Sequence, residues 1–149
     1  MIAHKNFDID RMVDFMKRCD NFFIDQLHIN NLTLEEYANK LCTKGTVSYL
    51  EDNGVVVAML AGYTDNLTNR MAYLAQGYVL PEYRGKGLGR IVFSDFLNYC
   101  REKNIDYAWL TTQKDNYVAQ NLYTDLGFKF DNDYKDDKLV KMVVDLRKN

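Results

Sequence analysis

A strand–loop–helix–strand unit at the centre of the chain constrains the fold more than any other feature. "MAYLAQGYV" (Met71–Val79) has the pattern of a strand, and a glycine-rich loop follows it. Apolar residues then recur at helical spacing from Leu88 to about Asn104. "YAWLTTQ" (Tyr107–Gln113) is typical of a strand buried on both faces. This order predicts a parallel strand pair joined by a right-handed crossover.

Two amphipathic helices precede this unit. Asp8 is placed to cap a helix that runs to about Cys19. "TLEE" is a capping box in which the Thr33 side chain accepts from a backbone amide and Glu36 reaches back to the cap residue. We expect Gly45 to take the left-handed conformation after the end of this second helix.

Turn and cap residues define the remaining elements. Asn53-Gly54 separates two apolar runs and favours a type I′ hairpin. Asn116 opens a last helix that Gly127 ends, and "FKF" and "KLVKMVVDL" read as closing strands. The order is two helices, three strands, helix, strand, helix and two strands. The fold class is therefore α/β or α+β with a mixed sheet.

Size and composition restrict the classes of function. With 149 residues the chain fits one domain, and a net charge of −2 argues against a general nucleic-acid binder.

The cysteines favour reduced core thiols, because each falls on the apolar side of a proposed helix; they are Cys19, Cys42 and Cys100. The chain has two histidines and no CxxC pair, so we expect no metal site. No signal-peptide core or membrane-length apolar run is present, so we expect a cytoplasmic protein without a membrane partner.

The glycine loop, "YRGKGLGR", has the properties of a phosphate-binding turn. Gly85, Gly87 and Gly89 leave the backbone bare where a strand gives way to a helix N-terminus, which favours anions. The neighbouring cations are Arg84, Lys86 and Arg90. The loop matches neither the Walker pattern GxxxxGK[ST] nor the dinucleotide pattern GxGxxG.

The chain resembles the GNAT superfamily of acetyl-coenzyme A-dependent N-acetyltransferases. The signature [QR]-x-x-G-x-[GA] reads here from Arg84 to Gly89. "NYVAQNLYTDLGFKF" is similar to the second motif of that family, and the two motifs together cover roughly residues 71 to 131. The resemblance implies a single acetyltransferase domain over residues 1–149, with a mixed central sheet of about six to seven strands flanked by about four helices.

The resemblance also implies acetyl-coenzyme A as co-substrate, with no metal. The loop amides would hold its pyrophosphate, and the strand before the loop would pair with its pantetheine arm. The implied cofactor-binding residues are Gly77, Tyr78, Val79, Arg84, Gly85, Lys86, Gly87, Leu88, Gly89, Arg90, Asn116 and Tyr123. A glycine within a strand independently indicates a bulge or a close backbone approach at Gly77, although simple packing explains it equally well.

Two residues of the second motif carry alternative roles. Asn116 aligns with a pantetheine-binding asparagine but is also a good helix cap. Tyr123 aligns with the catalytic acid that protonates the departing thiolate, and the resemblance favours this role over core packing, which its apolar helix face alone would indicate. A general base is not evident. Thr111 occupies a position where some relatives carry glutamate, and the strand before the loop offers Tyr73 and Gln76, so water would accept the proton.

The acceptor is predicted only by class, as a small-molecule or peptide amine. The candidate acceptor residues, from the segment after the first helix and the turn before the central strand, are Phe22, Phe23, Asp25, Asp65, Asn66 and Arg70. His28, in the first of these segments, is interpreted as a surface residue. The acidic residues favour a cationic amine, and Arg70 favours an acceptor with a carboxylate or phosphate. An acyl-coenzyme A-binding sensor without efficient catalysis, or a nucleotide-binding protein, remains an alternative. A homodimer is possible by analogy.

Overall fold

The computed structural model describes residues 4–19, 31–66 and 68–147. Their elements, in chain order, are β1 (His4–Lys5), α1 (Ile9–Arg18), α2 (Leu34–Lys44), β2 (Thr46–Asp52), β3 (Val55–Asn66), β4 (Met71–Val79), a 3₁₀ turn (Pro81–Tyr83), α3 (Leu88–Glu102), β5 (Tyr107–Gln113), α4 (Tyr117–Asp125), β6 (Lys129–Phe130) and β7 (Leu139–Asp145). The strands form one seven-stranded mixed sheet in the order β1-β2-β3-β4-β5-β7-β6. The predicted fold class is confirmed.

Local side-chain signals set the ends of the first two helices. The Asp8 carboxylate accepts from two amides of the first turn of α1. The Thr33 hydroxyl and the Glu36 carboxylate form the predicted capping box at α2. The prediction for Gly45 was wrong, because its backbone is extended (φ −103°) and leads directly into β2. A Cβ at this position would collide with the Leu41 carbonyl, so close packing requires glycine here.

The β2–β3 hairpin turns as predicted, since Asn53 (φ 51°) and Gly54 (φ 83°) both lie in the left-handed region. The predicted parallel pair also forms, between β4 and β5. Its register covers only Met71–Tyr73 against Tyr107–Trp109. The second half of β4 has no ladder with β5, so a gap opens between the two strands.

Core side chains divide between the two faces of the sheet. On one face, α1 and α2 pack against β2 and β3 through residues such as Phe15, Leu41 and Met59. On the other face, α3 packs against β3, β4 and β5 around Phe96 and Leu110. The prediction that β5 is buried on both faces was wrong. Its burial alternates along the strand, because α3 covers one face and the other carries half-buried rings.

The three cysteines are free and buried, as predicted. Burial raises the pKa of Cys42 and of Cys100 to about 12. The described side chains contain no group of three or more His, Cys, Asp or Glu residues arranged to hold a metal ion. In the same part of the chain, no helix is both long enough and apolar enough to cross a bilayer.

Candidate functional site

The glycine loop between β4 and α3 presents a row of unpaired backbone donors. Gly85 and Gly87 both have φ +78°, and a Cβ at either position would meet no described atom within 4 Å. The first helical bond of α3 runs from Ile91 N to Gly87 O, at 3.2 Å. Within the described chain, the six amides of residues 85–90 have no hydrogen-bond acceptor. Such a row at a helix N-terminus is suited to an anion with several oxygens.

Each cation of the loop contacts a neighbouring protein group. The Arg84 Nε donates to the Val79 carbonyl at 3.0 Å, and its guanidinium lies 5.0 Å above the Tyr78 ring. The Lys86 ammonium lies 5.5 Å from the centre of the Tyr83 ring. Arg90 forms an ion pair with Asp125 in α4 at 3.0 Å. The three positive charges beside the row of amides are therefore each in contact with another group of the protein.

The strand before the loop bulges at Ala75 and not at Gly77. The register steps from Gly62 opposite Leu74 to Ala61 opposite Gln76, which leaves Ala75 without a partner. Gly77 pairs regularly with Leu60, and a Cβ there would lie 3.2 Å from the Phe93 ring. The bulge is therefore two residues away from Gly77, and the tight contact with the Phe93 ring corresponds to the packing role that was the alternative for this glycine.

Tyr123 lies on the α3 side of this strand. Its ring packs 5.2 Å from the Phe93 ring and 5.8 Å from the Phe128 ring, centre to centre. Burial raises the pKa of Tyr123 to about 12, and its hydroxyl has no hydrogen-bond partner among the described residues. Because Phe93 also faces Gly77, the predicted acid and the strand backbone flank the same ring. The phenol is a neutral proton donor at physiological pH.

The helix α4 contains the second sequence motif and packs beside the glycine loop. The Asn116 side chain accepts from Ala119 N at 3.2 Å, so Asn116 acts as the helix cap, and its side chain stays exposed. A Cβ on Gly89 would lie within 4 Å of both Leu122 and Val79. The start of α3, the end of β4 and α4 therefore meet at one place.

Several predicted acceptor residues lie elsewhere. Asp65 forms an ion pair with Lys5 at 2.8 Å, and Arg70 forms one with Asp106 at 3.3 Å. Like Asn66, they stand near the start of β4, about 20 Å from Gly77 at ~3.3 Å per residue. The structure does not bring them to the glycine loop. Phe22, Phe23, Asp25 and His28 fall outside the described residues.

Two features of the site were not predicted. The Gln76 Nε2 donates to the Tyr37 hydroxyl of α2 at 2.8 Å, on the face opposite Phe93. The spacing of Tyr37 from Leu34 and Leu41 indicates only a position in the apolar stripe of its helix, with no signal for a hydrogen bond. A cavity of about 550 Å³ lies beside the ends of β5 and β7, and its lining includes Lys114, Tyr134 and Lys141. The charged loop before β7 gave no periodic signal from which to predict it.

Comparison with known proteins assigns the chain to a family. The family model described as "Acetyltransferase (GNAT) family" matches residues 11–128. The chain belongs to the GNAT acetyltransferase family. The match includes both α3, with its glycine loop, and α4, with Tyr123. The structural resemblance extends over nearly the whole chain.

Two solved GNAT structures share the fold. The PaiA N-acetyltransferase of Thermoplasma acidophilum, crystallised with coenzyme A, superposes with a TM-score of 0.75 at 15% identity, over 97% of this chain and 99% of that one. The ribosomal-protein-S18-alanine N-acetyltransferase of Escherichia coli also gives 0.75, at 19% identity over 99% and 93% of the two chains.

Sequence similarity to curated GNAT relatives is local. The mycothiol acetyltransferase of Tsukamurella paurometabola is 42% identical over 50 residues, which are 34% of this chain and 17% of that protein. Four curated acetyltransferases are matched over only 16% to 34% of their own lengths.

Proposed function

We propose that this GNAT protein is an N-acetyltransferase that transfers an acetyl group from acetyl-coenzyme A to a primary amine by direct attack in a ternary complex. The observation that carries the proposal is the row of six unpaired amides at residues 85–90, beside the gap between β4 and β5. Residues 1–149 would form one acetyltransferase domain.

The described backbone fits coenzyme A at two points. The open glycine turn and the helix N-terminus suit its diphosphate, because Gly85 and Gly87 leave the amides uncovered. On the side facing β5, the second half of β4 has no strand partner among the described residues. The backbone of Gly77, Tyr78 and Val79 is therefore available to pair with the amides of the pantetheine arm, as an added strand would. Asn116 would contact the same arm from the cap of α4.

The chemistry requires one proton donor and one proton acceptor. The amine attacks the thioester carbonyl, so a C–N bond forms and the C–S bond breaks. The Tyr123 hydroxyl would protonate the departing thiolate and then recover its proton from solvent. The raised pKa of Tyr123, about 12, keeps this group protonated at neutral pH. A backbone amide of β4 would stabilise the oxyanion, and water would carry away the amine proton.

The acceptor is proposed as a small-molecule or peptide amine. The relatives span both classes, because one is named for mycothiol and another for an alanine of a ribosomal protein.

One observation favours a second function, an acyl-coenzyme A-binding sensor. The two positions beside the gap where a basic carboxylate would serve are Gln76 and Thr111, and neither side chain can accept a proton at neutral pH. A protein that retains the cofactor cleft without such a base would bind acetyl-coenzyme A and turn it over slowly.

Calorimetry with acetyl-coenzyme A, and with ATP as the control anion, tests the cofactor. Saturable binding of the thioester with much weaker binding of ATP is expected. Thiol release across amino acids, polyamines, amino sugars and peptides then separates the enzyme from the sensor. Binding without amine-dependent release would favour the sensor, and no binding of acetyl-coenzyme A would overturn both functions.

A further inference from the structure

We propose that the side-chain oxygen of Gln76 accepts a hydrogen bond from the acceptor amine, and that the Tyr37 hydroxyl holds the carboxamide in the required orientation. This inference rests on the proposed acetyl transfer and assigns the group that contacts the reacting nitrogen. Gln76 would be a catalytic residue by contact, whereas Tyr37 would be a positioning residue that acts through it.

The Ala75 bulge directs Gln76 to one side of the gap. Before the bulge, Leu74 points toward α3, and the inserted residue changes the alternation. Gln76 then lies opposite Ala61, whose side chain belongs to the core cluster with Tyr37. Gly77, the next residue, faces Phe93 on the other side. Gln76 and Tyr123 therefore stand on opposite faces of the sheet, as required if the nucleophile and leaving group approach from opposite sides.

The Gln76 carboxamide is hydrogen-bonded through its nitrogen but not through its oxygen. Its Nε2 donates to Tyr37 Oη at 2.8 Å, its Oε1 has no partner among the described residues, and the residue is only partly buried. Tyr37 is itself 4% exposed. A buried phenol on a helix is a rigid support, so the open oxygen has a fixed direction.

Uncharged phenols predominate around this carboxamide in the described part of the chain. Tyr37 of α2 interacts electrostatically with Tyr63 of β3 and Tyr73 of β4, whose rings stack on each other on the same face of the sheet. Tyr134, in the connection before β7, interacts with Tyr73. Lys141 of β7 lies 4.7 Å above the Trp109 ring on the same face. A neutral acceptor oxygen can orient an amine without stabilising it as the unreactive ammonium ion.

Steady-state kinetics on four single variants and one double variant tests the inference, with the most active amine of the panel as acceptor. Gln76→Leu should lower kcat/KM for the amine about three- to tenfold, the usual value of one neutral hydrogen bond. Gln76→Glu keeps an acceptor oxygen and should remain closer to the wild type at alkaline pH, where the amine is already neutral, whereas at lower pH its carboxylate stabilises the ammonium ion and the rate falls more steeply. Tyr37→Phe should lose about threefold alone and nothing further when combined with Gln76→Leu. Tyr99→Phe is the matched control, since this half-buried tyrosine lies on α3, on the other face of the sheet, and has no described hydrogen bond, so the variant should behave as the wild type.

Melting temperatures and affinity for acetyl-coenzyme A identify variants that fail for structural reasons. Equal losses in Gln76→Leu and Gln76→Glu would overturn the inference, because packing and not an acceptor oxygen would then matter. Full amine kcat/KM in Gln76→Leu would overturn it while leaving acetyl transfer intact. A wild-type protein that shows no turnover would overturn both.

Discussion

Arg90 and Asp125 form an ion pair of 3.0 Å that joins the first turn of α3 to the last turn of α4. The two residues belong to the two sequence motifs, so the pair physically connects the glycine loop with the helix of Tyr123. Both side chains are more than half exposed, at 51% and 61%. The pair therefore contributes little to stability, and its main effect is on the charge beside the loop.

Replacement of Asp125 by Asn should strengthen coenzyme A binding. The change removes a negative charge near the loop and frees Arg90 to approach the diphosphate. We expect a gain of about two- to fivefold in affinity, within the range of ~1 kcal/mol for an exposed pair. Calorimetry at low and high salt measures it, and salt should reduce the gain. Asp65→Asn breaks the Lys5–Asp65 pair far from the loop and should not change affinity. Weaker binding in Asp125→Asn would contradict this account.

Replacement of Gly87 by Ala should damage binding more than stability. A left-handed φ costs a non-glycine residue about 1–2 kcal/mol, and the strain is relieved by turning the amides of the loop. We expect coenzyme A affinity to fall by at least about tenfold, as for loss of one charge-assisted hydrogen bond. Gly54→Ala is the matched control, because Gly54 has φ +83° and equally open surroundings at the hairpin tip. Calorimetry and thermal melting should show similar destabilisation of both variants and loss of binding only in Gly87→Ala.

Replacement of Tyr123 by Phe should slow turnover without weakening coenzyme A binding. The ring contacts with Phe93 and Phe128 remain, and only the proton donor is lost. We expect kcat to fall about 100-fold, the lower end of the usual effect of a general acid. Tyr117 lies on the same helix with its side chain 68% exposed, so Tyr117→Phe provides the control. Unchanged kcat in Tyr123→Phe would exclude the phenol as the acid.

Alkaline pH should destabilise the fold. Burial raises the pKa of Tyr37 and Tyr123 from 10.0 to about 12, and that of Cys42 and Cys100 from 9.0 to about 12. The unfolded chain releases these protons at lower pH than the native state, so the stabilising effect is complete below about pH 9 and declines toward pH 12. Urea unfolding at pH 7, 8.5 and 10 should give similar free energies at the first two values and a lower one at the third. A constant free energy across the three would show that these groups are not buried as described.

Local signals predicted most of the fold. The capping box at Thr33, the Asn53-Gly54 turn and the cap at Asn116 each depend on residues close in sequence, and all three formed as expected. Gly45 was misassigned because β2 begins at the next residue, where Thr46 pairs with Gly62 of β3, so the backbone at Gly45 is extended and not left-handed. Strand pairing likewise decides where β4 bulges.

The backbone conformation of the site could be predicted from the sequence, whereas the contacts of its side chains were harder to predict. The bare amides follow from the glycines at 85 and 87, whose positive φ values the structure shows. The direction of Arg84 toward the Val79 carbonyl depends on where β4 ends relative to the loop. The bond between Gln76 and Tyr37 joins elements 39 residues apart, and no spacing rule connects them.

The sequestered thiols have a practical consequence for measuring this chemistry. Disulfide dyes react with thiolates, and all three cysteines of the native chain are buried, with the Cys42 and Cys100 thiols held protonated at assay pH. A colorimetric reading taken during catalysis should therefore report coenzyme release against a background close to zero. An increase of that background with time would indicate that the protein is unfolding and exposing its thiols.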